Sequence, residues 1–167
     1  GKKLLSNHEL FDVIPNDTAD FEERSEKYRT VLHPHDSRLL TNLDHHDIQA
    51  PETVHVSATV PAKGGEIDLH FVNYNRKEFP PNPKNGRPNP GKGTQDENPI
   101  PVSGIQVAFF PPKGQEITSI EFISPESPEP KPLVSAVSEM RNNFTVPEFL
   151  VYGVVRMKTQ PINQANA

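Results

Sequence analysis

Alternation of polar and apolar residues from Glu66 to Phe71, within Glu66-Ile-Asp-Leu-His-Phe-Val-Asn-Tyr-Asn75, constrains this chain more than any other feature. Only a two-residue period puts Ile67, Leu69 and Phe71 on one face and Asp68 and His70 on the other, so the stretch is a β-strand. A second phrase, Asn143-Phe-Thr-Val-Pro-Glu-Phe-Leu-Val-Tyr-Gly-Val-Val-Arg-Met157, also has strand character. Its apolar residues fall on both faces, Phe149, Val151 and Val155 against Leu150, Tyr152 and Val154, which predicts a central strand covered on both sides. Neither phrase holds a nucleophile, a metal cage or a phosphate cradle. The best-specified part of the chain is scaffold, and that points away from an enzyme.

More strands are expected around these two. In Thr53-Val-His-Val-Ser-Ala-Thr-Val60 the residues Val54, Val56, Ala58 and Val60 alternate with polar ones, and Pro61-Ala-Lys-Gly-Gly65 supplies a turn into the next strand, so the pair forms a hairpin. Strand patterning resumes at Val102, with Ser103, Ile105, Val107 and Phe109 on one face, and continues at 117–123, 133–138, 143–146 and 149–157. Residues 79–101 hold Pro80, Pro81, Pro83, Pro88, Pro90, Pro99 and Pro101 and three glycines; they cannot feed a ladder and are expected as an exposed insertion between paired strands. Ser124-Pro-Glu-Ser-Pro-Glu-Pro-Lys-Pro132 is expected as a second proline-rich loop. The fold class that follows is all-β, an antiparallel sandwich of about seven strands with an immunoglobulin-like or Greek-key path.

The flanks differ from this domain of residues 51–158. Residues 1–50 are polar and form an N-terminal extension or linker, with one helix expected from Thr18 to Val31, capped by Asp17 or Thr18 and carrying Phe21, Tyr28 and Leu32 on a thin apolar stripe. The tail 159–167 is expected to fray. Hydrophobic residues are only 33% of the chain, so the core is modest, and a net charge of −5 without a long basic run makes nucleic acid an unlikely partner. The absence of cysteine removes disulfides, thiolate catalysis and Cys-ligated zinc together. No apolar run approaches the roughly 18–20 residues that span a bilayer. Gly1 in place of Met suggests a processed or excised chain, and a secreted or periplasmic location is slightly favoured over others.

Candidate chemistry is sparse. His33, His35 and Asp36, with His46 from Asp44-His-His-Asp47, are the metal-ligand types that could close an open zinc-like site, and the alternative is a solvated polar connection. Gly86 to Thr94 fails as a phosphate-binding loop, because Gly93 stands where Ser or Thr is required and two prolines remove amide donors. Glu116, Glu121, Glu126 and Glu139 are ordinary surface acids that sequence cannot pair at a glycosidase spacing of about 5–10 Å. For carbohydrate, with no tryptophan present, Tyr74 is the best stacking face, helped by Asn73, Asn75 and His70; its alternative role is to close the sandwich edge. No cofactor is expected.

Leu69-His-Phe-Val-Asn-Tyr74, Ile120-Glu-Phe-Ile-Ser-Pro125, and Phe144-Thr-Val-Pro147 leading into Val151-Tyr-Gly-Val-Val155 stand in an order that resembles the C-terminal β-sandwich domains of bacterial glycoside hydrolases, particularly β-galactosidase-like enzymes. The resemblance covers about two thirds of the chain, from Pro51 to Met157. It implies a non-catalytic accessory domain with a structural or docking role beside a catalytic glycoside hydrolase domain, whose carboxylates lie elsewhere. A stand-alone carbohydrate-binding module is the alternative, and a metal-dependent hydrolase built on His33 to Asp47 is a third reading.

Overall fold

The structure is a computed structural model that describes residues 19–26, 46–77, 80–86 and 98–162. Among them are one short helix, α1 (Phe21–Ser25), and nine strands: β1 (Asp47–Gln49), β2 (Val54–Thr59), β3 (Glu66–Asn73), β4 (Ile105–Phe109), β5 (Gln115–Ser124), β6 (Ser127–Pro132), β7 (Ala136–Ser138), β8 (Arg141–Val146) and β9 (Tyr152–Pro161). They form two antiparallel sheets, one of order β1-β4-β8-β7 and one of order β2-β3-β9-β5-β6. The fold is the expected β-sandwich.

Two strands exceed the expected seven, and each has a physical reason. The first, β1, lies before Pro51 and pairs with β4, Ile48 opposite Val107, where it buries Ile48 at the sheet edge. The second, β6, falls where a proline-rich loop was expected. Leu133 donates its N–H to Ile120 O at 2.8 Å and Ser127 its N–H to Ser124 Oγ at 3.2 Å, so odd-numbered residues of this segment point their N–H groups toward β5. Amide directions alternate along a strand, and the even positions Pro128, Pro130 and Pro132 therefore face the free edge. Proline is tolerated in a strand only where its missing N–H is not needed, and here that is every outward position.

Other boundaries moved by a few residues. The expected strand 133–138 is ordered as β7 only from Ala136, and 149–157 begins at Tyr152 and runs to Pro161, past the point where fraying was expected. β9 is central, as its composition predicts, but it is fully buried only on the face of Gly153, Val155 and Met157; Val154 and Arg156 behind them are half-buried and Tyr152 is exposed. The expected β2–β3 hairpin is present, closed by Gly64 and Gly65, whose positive φ of 67° and 80° the turn requires. Within the expected helix residues 19–26 are described; of these Phe21–Ser25 form α1, which buries no side chain.

The core fills the space between the sheets. Ile67, Leu69, Phe71, Ile120, Phe122, Val155 and Met157 from the larger sheet meet Ile105, Val107, Phe109, Phe144 and Val146 from the smaller, with Phe149 wedged 6.3 Å from both Phe71 and Phe122. The sequence places the proline-rich insertion between paired strands, but β3 and β4 belong to different sheets, so the insertion joins the two sheets instead. Its arms meet at a neck where Ile100 N–H donates to Asn75 O at 3.1 Å and Lys77 N–H to Asn98 O at 3.2 Å.

The β7–β8 hairpin turns through Glu139 and Met140, both at positive φ, 50° and 61°. Two positive φ values define the type I′ turn, which favours Asn-Gly because a side chain there is strained. The pair Glu139→Asn and Met140→Gly should therefore raise the stability of the domain by about 1–2 kcal/mol, read as a higher urea midpoint at unchanged slope.

Candidate functional site

Cross-strand register decides which side chains share the solvent face of the five-stranded sheet. Val72 sits opposite His55 and Tyr152, His70 opposite Ser57 and Val154, and Asp68 opposite Thr59 and Arg156. Residues opposite one another lie on one face. This face therefore carries His55, Thr59, Asp68, His70, Tyr152, Val154 and Arg156, with Ile123 of β5 beside Val154.

Three arrangements divide it. In the middle, His70 is held at both nitrogens: Thr59 Oγ1 lies 2.8 Å from Nε2 and the Tyr152 hydroxyl 2.6 Å from Nδ1, and the two rings stack at 20°. Hydroxyls can donate or accept, so either tautomer of His70 is satisfied. Toward one side, Arg156 binds Asp68 through two bonds, Nε to Oδ1 at 3.0 Å and Nη2 to Oδ2 at 3.3 Å, with Glu66 Oε1 at 3.4 Å. The hydrogen bond to Asp68, with the charges of Asp68, Glu66 and Glu121, raises the Arg156 pKa above its ordinary value. A raised basic pKa gives stability that is lost only as pH climbs through it, so Arg156 keeps its charge across the neutral range, and solvent keeps the contribution of the pair small.

Toward the other side the character becomes apolar. Ile123, Ser124, Pro125, Pro128, Tyr152 and Val154 line an open hollow of about 260 Å³. Tyr152 sits at the meeting point, with its hydroxyl tied to His70 and its ring bordering the hollow. The sequence pattern did not single it out, because the apolar residues of 149–157 occupy both faces; the outward phase of Arg156 and Lys158 was the available signal.

The expected sugar-contacting residues do not converge. Tyr74 is 57% exposed and stands edge-on to His55, with ring centroids 4.9 Å apart. His70 lies four residues away along the strand direction, roughly 13 Å at 3.3 Å per residue, and pairs with Tyr152. Asn73 points the other way and is fully buried, where Nδ2 donates to Ile100 O at 2.8 Å and Leu150 O at 2.7 Å while Oδ1 accepts from Asn75 N at 2.9 Å. Asn75 belongs to the neck of the insertion, its carbonyl receiving Arg76 Nη1 and Ile100 N.

Of the expected metal ligands, His33, His35 and Asp36 lie outside the described residues. His46 stacks on Phe109 at 4.1 Å, and its Nδ1 accepts the N–H of Phe110 at 3.1 Å, so that nitrogen serves the fold. Among the described residues no group of three His, Asp or Glu side chains could hold a metal ion.

No protein-family model matches the chain, and no curated protein does. Among solved structures, the alpha-L-fucosidase isoenzyme 2 from Paenibacillus thiaminolyticus is similar with a TM-score of 0.51 and 15% identity, over 74% of this chain and 16% of that one. A cycloisomaltooligosaccharide glucanotransferase from Paenibacillus sp., complexed with cycloisomaltoheptaose, gives a TM-score of 0.41 and 16% identity over 65% of this chain and 14% of that one. The first likeness is one of fold. In both cases the chain spans a small part of an enzyme named for its action on carbohydrate.

Proposed function

We propose that this chain is a non-catalytic β-sandwich accessory domain of a carbohydrate-active enzyme, docked beside a catalytic glycoside hydrolase domain through the outer face of its five-stranded sheet. The observation that carries this reading is the apolar hollow bordered by Tyr152 on a face turned away from the core. An apolar recess with an aromatic anchor is the form that the energetic centre of a protein interface takes. The half-buried Arg156–Asp68 pair beside it supplies the polar rim such interfaces have. The fold shared with one small part of an alpha-L-fucosidase supports the context.

The test is association with the glycoside hydrolase domain encoded in the same or a neighbouring reading frame. Tyr152→Asp should weaken that association by about tenfold or more, while the isolated domain keeps its melting behaviour. Hydrolysis of aryl glycosides by the isolated chain, or a gene context without any catalytic domain, overturns the reading.

A further inference from the structure

The solvent face of the four-stranded sheet has a different chemistry. Register places Asp47 and Asn143 on either side of Ala108, and Gln49 and Thr145 on either side of Gln106. Two polar ranks thus cross β1, β4 and β8, and the first is interrupted at its centre by a methyl group. That interruption leaves a hollow of about 120 Å³, lined by Asp47, Gln49, Gln106, Val107, Ala108 and Asn143.

The polar lining groups are held by hydrogen bonds to one another and to neighbouring residues outside the hollow. Gln49 Nε2 donates to Asp47 Oδ2 at 3.3 Å, Thr145 Oγ1 donates to Gln106 Oε1 at 3.0 Å, and Gln106 Nε2 donates to Gly104 O at 3.4 Å. Asn143 Nδ2 is committed to Ala136 O, Ser138 Oγ and Arg141 O at 3.2, 2.9 and 3.2 Å, which fixes the amide and leaves Oδ1 as its acceptor. The hollow therefore presents carboxylate and amide groups around an alanine floor, with a single formal charge.

This combination selects a ligand class. One carboxylate and no cationic lining residue disfavours an anion, and a lone carboxylate among amides is too few for a divalent cation. An apolar ligand would strand the polar lining. A neutral ring bearing several hydroxyls satisfies it, because each hydroxyl both donates and accepts. Asp47 and Asn143 stand two strands apart, about 9.6 Å at 4.8 Å per strand, a span that one sugar ring with its hydroxyls bridges across Ala108. We infer that the outer face of the four-stranded sheet is a saccharide subsite, taking one neutral hexose unit between Asp47, Gln49, Gln106 and Asn143. The inference does not depend on the docking role, which uses the opposite face.

The test is a titration of the isotope-labelled chain with D-glucose, D-galactose, L-fucose and an isomalto-oligosaccharide at millimolar concentration, following backbone amides by NMR. The expected result is saturable shifts centred on Asp47, Gln49, Gln106, Ala108 and Asn143 with at least one sugar. Ala108→Gln fills the hollow from the solvent side and should abolish those shifts with the core signals unchanged. Asp47→Asn, at the sheet edge, should weaken binding about tenfold through loss of a charge-assisted hydrogen bond, and it serves where the first variant fails to fold. No saturable shift with any sugar overturns the subsite. So do shifts that centre on Tyr152 or Tyr74, and shifts that persist in both variants.

Discussion

Asn73→Asp destabilises the domain by about 4 kcal/mol at neutral pH, although it changes one atom type in a side chain of the same shape. In the native domain the Asn73 amide donates to Ile100 O and Leu150 O. It thereby ties the returning arm of the proline-rich insertion to the segment before β9, with β3 between them. A carboxylate has no donor to give, so two carbonyl oxygens lose their partner and a negative charge is buried against them. Asn73→Ala, which removes the donors without adding charge, should lose less, about 2–3 kcal/mol.

The pH dependence separates the two variants. Burial and the two facing carbonyls raise the folded-state pKa of the introduced carboxyl above its unfolded value. Between those two values the folded state binds more protons than the unfolded one, so stability falls as pH rises and recovers as pH drops. Urea midpoints taken from mildly acidic to neutral pH should therefore converge for Asn73→Asp and wild type on the acid side. Asn73→Ala should run parallel to wild type throughout, and parallel behaviour of both variants would refute the assigned geometry.

Gly153→Ala is the second large effect. A Cβ built on Gly153 would lie 2.8 Å from Phe122 Cε2, 3.0 Å from its Cζ and 3.3 Å from Phe149 Cγ. Gly153 stands opposite Phe71 in the ladder, and the rings of Phe122 and Phe149 are buried in the centre of the core, so neither has free space to retreat into. Overpacking of this kind costs about 1–3 kcal/mol, and the upper half of that range is expected here, a drop in melting temperature of roughly 5–10 °C. Trimming the obstructing ring tests the cause. Phe122→Leu should be destabilising alone, yet the double variant should lose at least about 1 kcal/mol less than the sum of the two single losses.

Much of this architecture was legible because strand phase is local information. The alternation of Ile67, Leu69 and Phe71 gave the inward face of β3, and the β2–β3 hairpin followed from the turn residues between them. The same alternation, carried one step further, puts Asn73 inward. Beside Tyr74 a polar residue suggests a surface and hence a sugar contact, whereas its polarity marks a buried tie between loops. β6 was hidden for a different reason. Whether a proline blocks a ladder depends on which way its missing N–H would have pointed, and pairing with β5 sets that direction, not the proline-rich string itself. Both candidate surfaces depend on register in the same way: Tyr152 gains its setting from β3 and β5, and the rank Asp47, Ala108, Asn143 is assembled from segments far apart in sequence. The histidines at 33 and 35 lie outside the described residues.

The prolines of β6 also bear on how copies of this chain can associate. At that border of the five-stranded sheet, Pro128, Pro130 and Pro132 leave no amide donor to recruit another strand, whereas β2 at the opposite border pairs, among the described residues, with β3 alone. A sheet with one receptive border has a single sticky end. If two chains join through it, β2 against β2, the symmetric pair has consumed both ends and presents only proline-lined borders to the next arrival. Growth by that route would stop at two, so the run of prolines works against fibres built on this sheet.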